Sequence, residues 1–495
     1  MPSLPRIAVV PLLLLFLGSC SKETPLAAGS TDATQTPRRR RLAEASNSAV
    51  VPVSLPVTGT VPEPKPQPCP KRPNILIIVL DTTRSDATQL DPKSRNRTPV
   101  LRELAKRGVN FTRTYSTWDS TPPSHFSILS GFVSGYMNPD VDQPEVSIAH
   151  QIRKLGYRTF GISANPNLTK QAFRAVVPFD TFISLQDEYQ ALSAAEKEKL
   201  IPKLDERIHR YNTQPEEWYR LMGYSSADEV RRRLVPLLGG KGPFFGLINL
   251  MEAHDPYFPS QKFYDPAKDP KDLVALRYRK LSPELEHPDQ IPDPDRKAEV
   301  EKLIKLAQGR PWSVSIDVSD EHMKVYRRRY EAAVRQLDEG VGRIMDLLRQ
   351  RGLLDSTIVI ITADHGEAFG EAHLLTHSFD NQGDRDATNR VPMLFLFPAC
   401  YGFKPANVDD LVTIADISPT LYDVLGIDTQ PLWRKTAPGE YGRSLLSLME
   451  SGAGPQVQRV AAKPAQAPRQ TVTPEQRNQQ DEEALKRFRS LGYLQ

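Results

Sequence analysis

Continuous apolar runs alternate with helical repeats along the middle of the chain. The run at 74–80 has the length and composition of a strand buried on both faces, as in parallel sheets. Similar runs predict strands at 159–163, 244–250, 357–361 and 393–397. Within 326–351 the apolar residues repeat at steps of four and three, which predicts an amphipathic helix. The alternation predicts an α/β fold with a doubly wound, mostly parallel sheet flanked by helices.

The stretch from 117 to 131 predicts a rigid loop that leads into a short helix. Two prolines, Ser124 and His125 precede an apolar run that stops at Gly131. Proline is favoured at a helix start and glycine just past a helix end. Thr121 would then lie at the positive end of the helix, where a hydroxyl is well placed to attack an anionic ester. The alternative is an ordinary N-cap followed by a surface helix.

Polar residues follow directly after two of the predicted strands. Asp81 comes after 74–80, and Asp364 and His365 come after 357–361. In such folds ligands collect at the carboxyl ends of the strands. Carboxylate and imidazole together suit a divalent cation such as Zn, Mn, Ca or Mg. With Thr121 these residues would supply four ligands or near-ligands, and a bound cation would make the Thr121 oxygen a nucleophile.

Two further histidines are candidates for binding an anion. His254 follows the strand predicted at 244–250, and His377 follows the Asp364-His365 pair. Near a cation they would bind the non-bridging oxygens of a phosphate or sulfate. A single histidine in a sequence more often has a structural role, but several polar residues at the ends of strands favour a functional site.

Two charged, partly helical segments, 185–240 and 260–325, interrupt the alternation of strands and helices. We interpret them as insertions that cap the site and shape a substrate pocket; a separate small domain is the alternative. The segment 451–495 is a polar tail that ends in a helix candidate at 482–491, which we expect to dock on the core.

The amino terminus predicts export. Residues 1–20 have a weakly basic start, an apolar stretch and the ending Leu17-Gly-Ser-Cys20, and they are too short to span a bilayer. The ending looks like a bacterial lipobox, in which Cys20 would be lipidated and would anchor the protein to the membrane. An ordinary secretory signal is the alternative.

Residues 21–71 are rich in Ser, Thr, Ala and Pro and predict a disordered tether. The expected location is the bacterial cell envelope, outside the cytoplasm, and the outer membrane if the cell is Gram-negative.

The net charge and the cysteines limit the classes of function further. The net charge of the 495 residues is only +4, which argues against a dedicated nucleic-acid-binding protein. Cys69 and Cys400 are the other two cysteines, and in an oxidising compartment they could form one disulfide. The sequence does not show whether they lie close together.

Taken in order, these motifs resemble the sulfatase family of the alkaline phosphatase superfamily. The matching stretches are Pro73-Asn-Ile-Leu-Ile-Ile-Val-Leu-Asp81, residues 98–111 and 121–131, His254-Asp-Pro-Tyr257, Thr362-Ala-Asp-His-Gly-Glu367, Arg390-Val-Pro392 and Asp416-Ile-Ser-Pro-Thr420. The resemblance implies a catalytic domain over 72–450 that hydrolyses sulfuric or phosphoric esters with a divalent cation. It implies metal ligands Asp81, Thr121, Asp364 and His365, and catalytic roles for Thr121, His125, His254 and His377.

The chain departs from the sulfatase pattern at the nucleophile. Thr121-Pro-Pro-Ser-His125 stands where sulfatases have Cys/Ser-x-Pro-Ser-Arg, whose first residue is converted to formylglycine. Threonine cannot be converted by that route, and a shifted register with Ser120 as the nucleophile is the weaker alternative. Asp364-His365 replaces the sulfatase Asp-Asn and looks more like phosphatase, phosphodiesterase and transferase members that use a threonine. His373 carries over from close relatives only weakly.

The predicted function is therefore a metal-dependent, sulfatase-like hydrolase that acts through a covalent Thr121 ester. Threonine chemistry favours phosphoric mono- or diesters over sulfuric esters. One alternative is a phosphoglycerol- or phosphoethanolamine-type transferase of the cell envelope; another is a non-catalytic envelope binding protein on the same fold. The sequence leaves open which ester is the substrate, which metal and how many ions bind, and the oligomeric state.

Overall fold

The computed structural model describes residues 69–133, 146–168, 179–200, 225–274, 276–379, 381–428 and 441–449. Within these residues the strands are β1 Asn74–Leu80, β2 Val109–Tyr115, β3 Arg158–Ser163, β4 Thr181–Ser184, β5 Phe244–Leu250, β6 Thr357–Thr362, β7 Ala368–Phe369, β8 Leu375–Thr376, β9 Arg390–Leu396 and β10 Ala406–Thr413. The helices are α1 Pro99–Ala105, α2 Thr121–Ser130, α3 Ile148–Arg153, α4 Leu185–Gln190, α5 Ala194–Leu200, α6 Ala227–Leu237, α7 Pro283–Glu286, α8 Pro294–Leu306, α9 Asp320–Gln350, α10 Arg385–Thr388 and α11 Ile417–Leu425.

The large sheet has eight strands in the order β10-β2-β9-β6-β1-β5-β3-β4. Strand β9 runs antiparallel to both of its neighbours, β2 and β6, whereas the other pairings in this sheet are parallel. The prediction of an α/β fold with a mostly parallel sheet is confirmed. Because all strands except β9 point the same way, their carboxyl ends meet along one edge, where ligands bind in folds of this kind.

The central strands are covered on both faces. Every residue of β1, β5 and β6 is buried, which explains why these strands appear in the sequence as unbroken apolar runs. The strands predicted at 74–80 and 244–250 have those same bounds in the structure. Strands β2, β4 and β10 were not predicted, and β9 begins at Arg390 rather than at residue 393.

Helices pack on the sheet in two groups. Helix α9 contacts both α1 and α6, and α2 contacts α3 and α11. Helix α9 is 31 residues long and starts six residues before the predicted position, because Ser319 caps it by accepting a hydrogen bond from the His322 N–H. Asp338 within α9 accepts from the backbone N–H groups of Val100 and Leu101 at the start of α1, which fixes one helix against the other.

The two segments interpreted as insertions differ in their packing. Helix α6, at the end of 185–240, buries Ala227, Val230 and Leu234 and contacts the sheet, so it belongs to the helical layer. The segment 260–325 has a small core of its own that includes Leu285, Val300 and Val314 and extends to Leu374 and Phe379. This second core joins the segment to the chain that follows β6.

Cys69 and Cys400 form a disulfide across 331 residues, which answers the question that the sequence left open. Within the described ranges, none of the helices has the length and apolar character needed to cross a membrane. The predicted signal peptide, most of the tether and the terminal helix at 482–491 lie outside the described residues, so those statements stay predictions.

Candidate active site

Loops from the carboxyl ends of the parallel strands converge at one edge of the sheet. Five of these strands, β1, β2, β3, β5 and β6, are followed by buried polar residues. In strand order, β1 leads to Asp81, β2 to Thr121, β3 to Asn165, β5 to His254, and β6 to Asp364 and His365. Residues far apart in the sequence are therefore brought together by the parallel arrangement of the sheet.

Asp81, Asp364 and His365 form a buried group that could hold a cation. One ligand atom from each of these residues lies within 4.8 Å of the others, and all three residues are fully buried. Among the described residues, neither Asp81 Oδ1 nor Asp364 Oδ2 has a hydrogen-bond partner. Burial, together with the neighbouring Asp364 carboxylate, raises the pKa of Asp81. Two buried carboxylates with unsatisfied oxygens are costly unless a cation compensates them, so this donor set fits a divalent metal ion.

The remaining oxygen of each carboxylate is held by fixed donors. Asp81 Oδ2 accepts from the side-chain amides of Asn165 at 2.7 Å and Asn249 at 2.9 Å. Asp364 Oδ1 accepts from the backbone N–H groups of Thr82 and His365, at 3.2 and 2.9 Å. These bonds orient both carboxylates so that their unsatisfied oxygens remain available for a cation.

Thr121 is the first residue of α2, as the prolines and Gly131 predicted. The helix ends at Gly131, whose φ of 83° is the left-handed conformation that glycine adopts easily. Thr121 Oγ1 lies 3.1 Å from His365 Nε2 and accepts from Asn165 Nδ2 at 3.2 Å. Because the Gly366 carbonyl 3.0 Å from His365 Nδ1 can only accept, Nδ1 is the donor of that bond, which leaves Nε2 to meet the Thr121 hydroxyl.

Gly366 allows the Asp364-His365 turn to pack closely against α10. A Cβ at this position would come within 2.1 Å of the Ala387 carbonyl oxygen. The Gly366 N–H donates to the Thr388 carbonyl at 2.6 Å, and the Glu367 N–H donates to the Ala387 carbonyl at 2.9 Å. This backbone pairing fixes the position of the His365 ring.

His125 supports the start of α2 from inside the protein. Its ring is fully buried, and Nδ1 donates to the Thr121 carbonyl at 2.9 Å. The same nitrogen lies 3.6 Å from Asp364 Oδ2. Burial lowers the pKa of His125 to about 4, so the ring is neutral at physiological pH. His125 contacts the backbone of Thr121, so it is suited to position Thr121.

His254 is the cationic histidine of the site. Its Nδ1 lies 2.9 Å from both the carbonyl and the Oδ1 oxygen of Asp255. Burial opposes its charge, but the Asp255 carboxylate outweighs that effect, and the pKa of His254 rises to about 10. A buried imidazolium at this edge is suited to bind an anionic oxygen.

His377 lies between His365 and His254. The ring centroids are 4.5 Å from His365 and 4.9 Å from His254, and Nδ1 lies 3.0 Å from Glu367 Oε1. Burial lowers the pKa of His377 and raises the pKa of Glu367. The contact with Glu367 Oε1 fixes the orientation of the His377 ring.

Unfavourable backbone conformations cluster around these residues. Thr82, Tyr257, Thr376 and Ser378 all have positive φ angles between 51° and 70°. They are next to Asp81, near His254, and on either side of His377. Side chains rarely adopt this conformation, and residues held in it collect at functional sites, where the surrounding packing maintains them.

Two residues considered from the sequence have no part in these contacts. Ser120, the alternative nucleophile, precedes α2 and caps it without a side-chain hydrogen bond. His373 is exposed, and its carbonyl accepts from the Ser315 N–H. The structure brings together Asp81, Thr121, His125, His254, Asp364, His365 and His377.

Sequence analysis missed Asn165, Asn249 and Glu367. Asn165 stands two residues after a predicted strand, the same signal that selected Asp81, but asparagine there is also common in turns. Asn249 lies inside β5, where a polar residue in an apolar run was the available signal. Glu367 belongs to the Thr362–Glu367 motif, which did not show that its carboxyl would be buried against His377.

Comparisons with known proteins identify the family of this chain. A family model described as Sulfatase matches residues 73–427. The choline-sulfatase of Rhizobium meliloti (strain 1021) is 24% identical over 413 residues, which cover 76% of this chain and 72% of that protein. The arylsulfatase of Clostridium perfringens (strain 13 / Type A) is 23% identical over 389 residues, or 71% of this chain and 74% of that one.

Solved structures show the same fold. The phosphonate monoester hydrolase of Agrobacterium radiobacter superposes with a TM-score of 0.54 at 20% identity, covering 78% of this chain and 79% of that one. The corresponding enzyme of Silicibacter pomeroyi gives a TM-score of 0.50 at 23% identity, over 77% and 78% of the two chains. Because the family match spans well over half of its length, the chain belongs to the sulfatase family and is a hydrolase that acts on ester bonds.

Proposed function

We propose that this protein is a metal-dependent hydrolase of sulfuric or phosphoric esters that acts through a covalent Thr121 intermediate, with phosphoric esters favoured. The observation that carries the proposal is the Thr121 hydroxyl, which lies 3.1 Å from His365 Nε2 and shares the Asn165 amide with Asp81, so that it contacts the group that could hold a cation. The named relatives are sulfatases, which supports a sulfate ester. Threonine at the nucleophile position cannot become formylglycine, and this favours direct attack on phosphorus.

The chain's own residues account for the chemistry as follows. Asp81, Asp364 and His365 would hold the cation, which would lower the pKa of the Thr121 hydroxyl and offset negative charge on the ester. The Thr121 hydroxyl loses its proton as Oγ1 forms a bond to the phosphorus or sulfur atom, while the bond from that atom to the alcohol oxygen breaks and that oxygen takes up a proton from solvent. Water then hydrolyses the Thr121 ester and restores the hydroxyl.

The histidines orient the anion during these steps. The His254 imidazolium is suited to bind a non-bridging oxygen, and the neighbouring His377 ring is a second candidate for the same role. His125 holds the Thr121 backbone through its bond to the carbonyl. Asn165 donates to both Asp81 and Thr121, and thereby fixes the distance between the carboxylate and the nucleophile.

A substrate panel tests the proposal. Purified protein carrying residues 21–495, which keeps Cys69 and its disulfide, would be given aryl sulfate, aryl phosphate and aryl phosphodiester substrates, and its bound metal would be determined. We expect turnover of a phosphoric ester to exceed turnover of the sulfate. Faster turnover of the aryl sulfate would show that the preference inferred from threonine is wrong, and the absence of both metal and turnover would overturn the proposal.

Replacing Asn165 by alanine is expected to lower kcat by about 10- to 100-fold, because the Thr121 oxygen loses a fixed donor and Asp81 loses one of two. The matched control is Asn167→Ala two residues later, since that side chain is exposed and only its backbone N–H bonds to Asn165. Steady-state kinetics on both variants would check this. An Asn165→Ala protein with the kcat of the control would contradict the positioning role.

A further inference from the structure

A surface cavity lies between helix α9 and the chain that follows β1. Its volume is about 540 Å³, which is within the range of sites for small ligands. One wall is a face of α9 formed by Arg327, Glu331 and Arg335, which are spaced four residues apart, and the other wall is the loop at 93–97. We call this space the α9 cavity. None of the candidate active-site residues lines it.

A buried asparagine joins the two walls of the α9 cavity. Asn96 Nδ2 donates to the carbonyls of Ala87 and Glu331, at 2.9 and 3.0 Å. Its Oδ1 accepts from Arg335 Nη1 at 2.9 Å. The loop is therefore fixed against the helix, and the Arg335 guanidinium is held in one position.

The two carboxylates in the lining already belong to an ion-pair network. Arg327 donates to Asp86 Oδ2 at 3.1 Å and to Glu331 Oε1 at 3.3 Å. Both Asp86 oxygens also accept from Arg84, at 2.9 Å each. Glu371 is the third carboxylate of the network and pairs with both arginines.

Arg335 is a partly buried cation without a carboxylate partner. Its two hydrogen bonds go to neutral oxygens, Asn96 Oδ1 and the Phe263 carbonyl at 3.3 Å. Burial lowers the pKa of Arg335, although the charge of Glu331 acts in the opposite direction. An anion in the α9 cavity would compensate this charge.

Three further cations lie on the loop wall. Lys93, Arg95 and Arg97 are exposed, and in the part of the chain that the structure describes their side chains make no hydrogen bond or ion pair. Exposed cations are commonly only solvated, but these three border a concave space that also contains Arg335. Counted with the network around Arg327, six cations stand against three carboxylates, so this part of the described chain has an excess of positive charge.

We propose that the α9 cavity binds a soluble ligand that carries at least two phosphate or sulfate groups. Guanidinium groups bind such oxyanions through paired N–H donors. A single phosphate or sulfate would fill only part of the cavity and would leave part of the positive charge uncompensated. Because the site is separate from Thr121, ligand binding there does not depend on the proposed hydrolysis.

The test uses probes that the protein cannot hydrolyse. Naphthalene-1-sulfonate and naphthalene-1,3,6-trisulfonate have the same ring system, differ in the number of oxyanion groups and contain no ester bond. Calorimetric titration of the protein carrying residues 21–495 would measure the affinity for each. Inorganic phosphate tests a single free ion, and vesicles containing phosphatidylglycerol test a lipid surface.

The variants remove charge from either wall of the cavity. One carries Arg95→Gln together with Arg97→Gln, and another carries Arg335→Gln. The control carries Arg107→Gln together with Arg351→Gln, because these are also exposed arginines without a partner among the described residues. Neither lines the cavity, and Arg351 lies about 24 Å from Arg335 along α9.

We expect the wild-type protein to bind the trisulfonate at least about tenfold more tightly than the monosulfonate. The Arg95 and Arg97 double variant and Arg335→Gln should each weaken trisulfonate binding by about tenfold, whereas the control should change it by about twofold or less. Added salt should weaken binding, because the cations on the loop are exposed. The double variant loses no contact within the described residues, so its result does not depend on whether Arg335→Gln folds.

Three outcomes overturn the inference. Equal affinity for the two sulfonates, or an equal loss in the double variant and its control, would show that the cavity does not recognise a multiply charged ligand. Binding of inorganic phosphate as tightly as the trisulfonate would identify a single ion as the occupant. Vesicle binding that requires Arg95 and Arg97, without binding of the trisulfonate, would identify a lipid surface instead.

Discussion

Replacing Thr121 by alanine is expected to reduce ester turnover by about 10³-fold or more, because the nucleophile is removed while the cation site remains. Initial rates on the best substrate of the panel would measure the loss. Thr121→Ser keeps a hydroxyl at the start of α2 and should retain a measurable part of the rate. Ser120→Ala is the matched control for the neighbouring hydroxyl and should keep nearly the whole rate.

A covalent adduct would identify the nucleophile directly. Acid quenching during turnover, followed by peptide mass analysis, should find a phosphoryl or sulfuryl group on Thr121 and none in Thr121→Ala. An adduct on Ser120, or loss of rate in Ser120→Ala with Thr121→Ala unaffected, would mean that the shifted register is correct. The 3.1 Å contact between Thr121 Oγ1 and His365 Nε2 favours Thr121.

Replacing Asp364 by asparagine is expected to abolish divalent-cation binding and to lower turnover by about 10³-fold or more. The amide keeps an oxygen for the Thr82 and His365 N–H groups but removes one of the negative charges that would hold the cation. Elemental analysis and thermal shifts with added Zn, Mn, Mg and Ca would measure the loss. The wild-type protein should be stabilised by the cation it binds, because ligand binding to the folded state raises stability.

Asp338→Asn is the control for this experiment. Asp338 is also a buried carboxylate that accepts backbone N–H bonds, but it caps α1 away from the site. Its replacement should lower the melting temperature while leaving the cation-dependent shift in place. If Asp364→Asn showed the same shift as the wild-type protein, Asp364 would not be a metal ligand.

The sequence predicted the strands that are buried along their whole length. Strands β1, β5 and β6 are buried on both faces, so their residues are apolar almost without interruption. Strand β10 lies at the sheet edge with exposed Asn407 and Asp409, and β4 at the other edge has only four residues. Neither leaves an apolar run in the sequence, because an edge strand needs to bury only part of its side chains. The reversed direction of β9 depends on which strands it pairs with, which local composition does not encode.

The sequence predicted those site residues whose side chains can bind a metal and which directly follow an apolar run. Asp81, Asp364 and His365 are unusual residues directly after apolar runs, and the structure places them within one group. The opposite pKa shifts of His254 and His377 could not be predicted, because burial lowers both values but only at His254 does a neighbouring carboxylate, that of Asp255, outweigh burial. Asn165 was missed because its role depends on Thr121 and Asp81, which are far away in the sequence.

The Cys69–Cys400 bond has a consequence for the integrity of the enzyme. Asp81, Thr121, Asp364 and His365 all lie in the covalent loop that it closes. A single proteolytic cut anywhere between residues 70 and 399 would therefore leave two fragments that remain one molecule, with every proposed catalytic residue still attached. Such a cut enzyme would run as an intact chain in a denaturing gel until a reductant separated the pieces, so damage in an oxidising environment need not mean loss of the site.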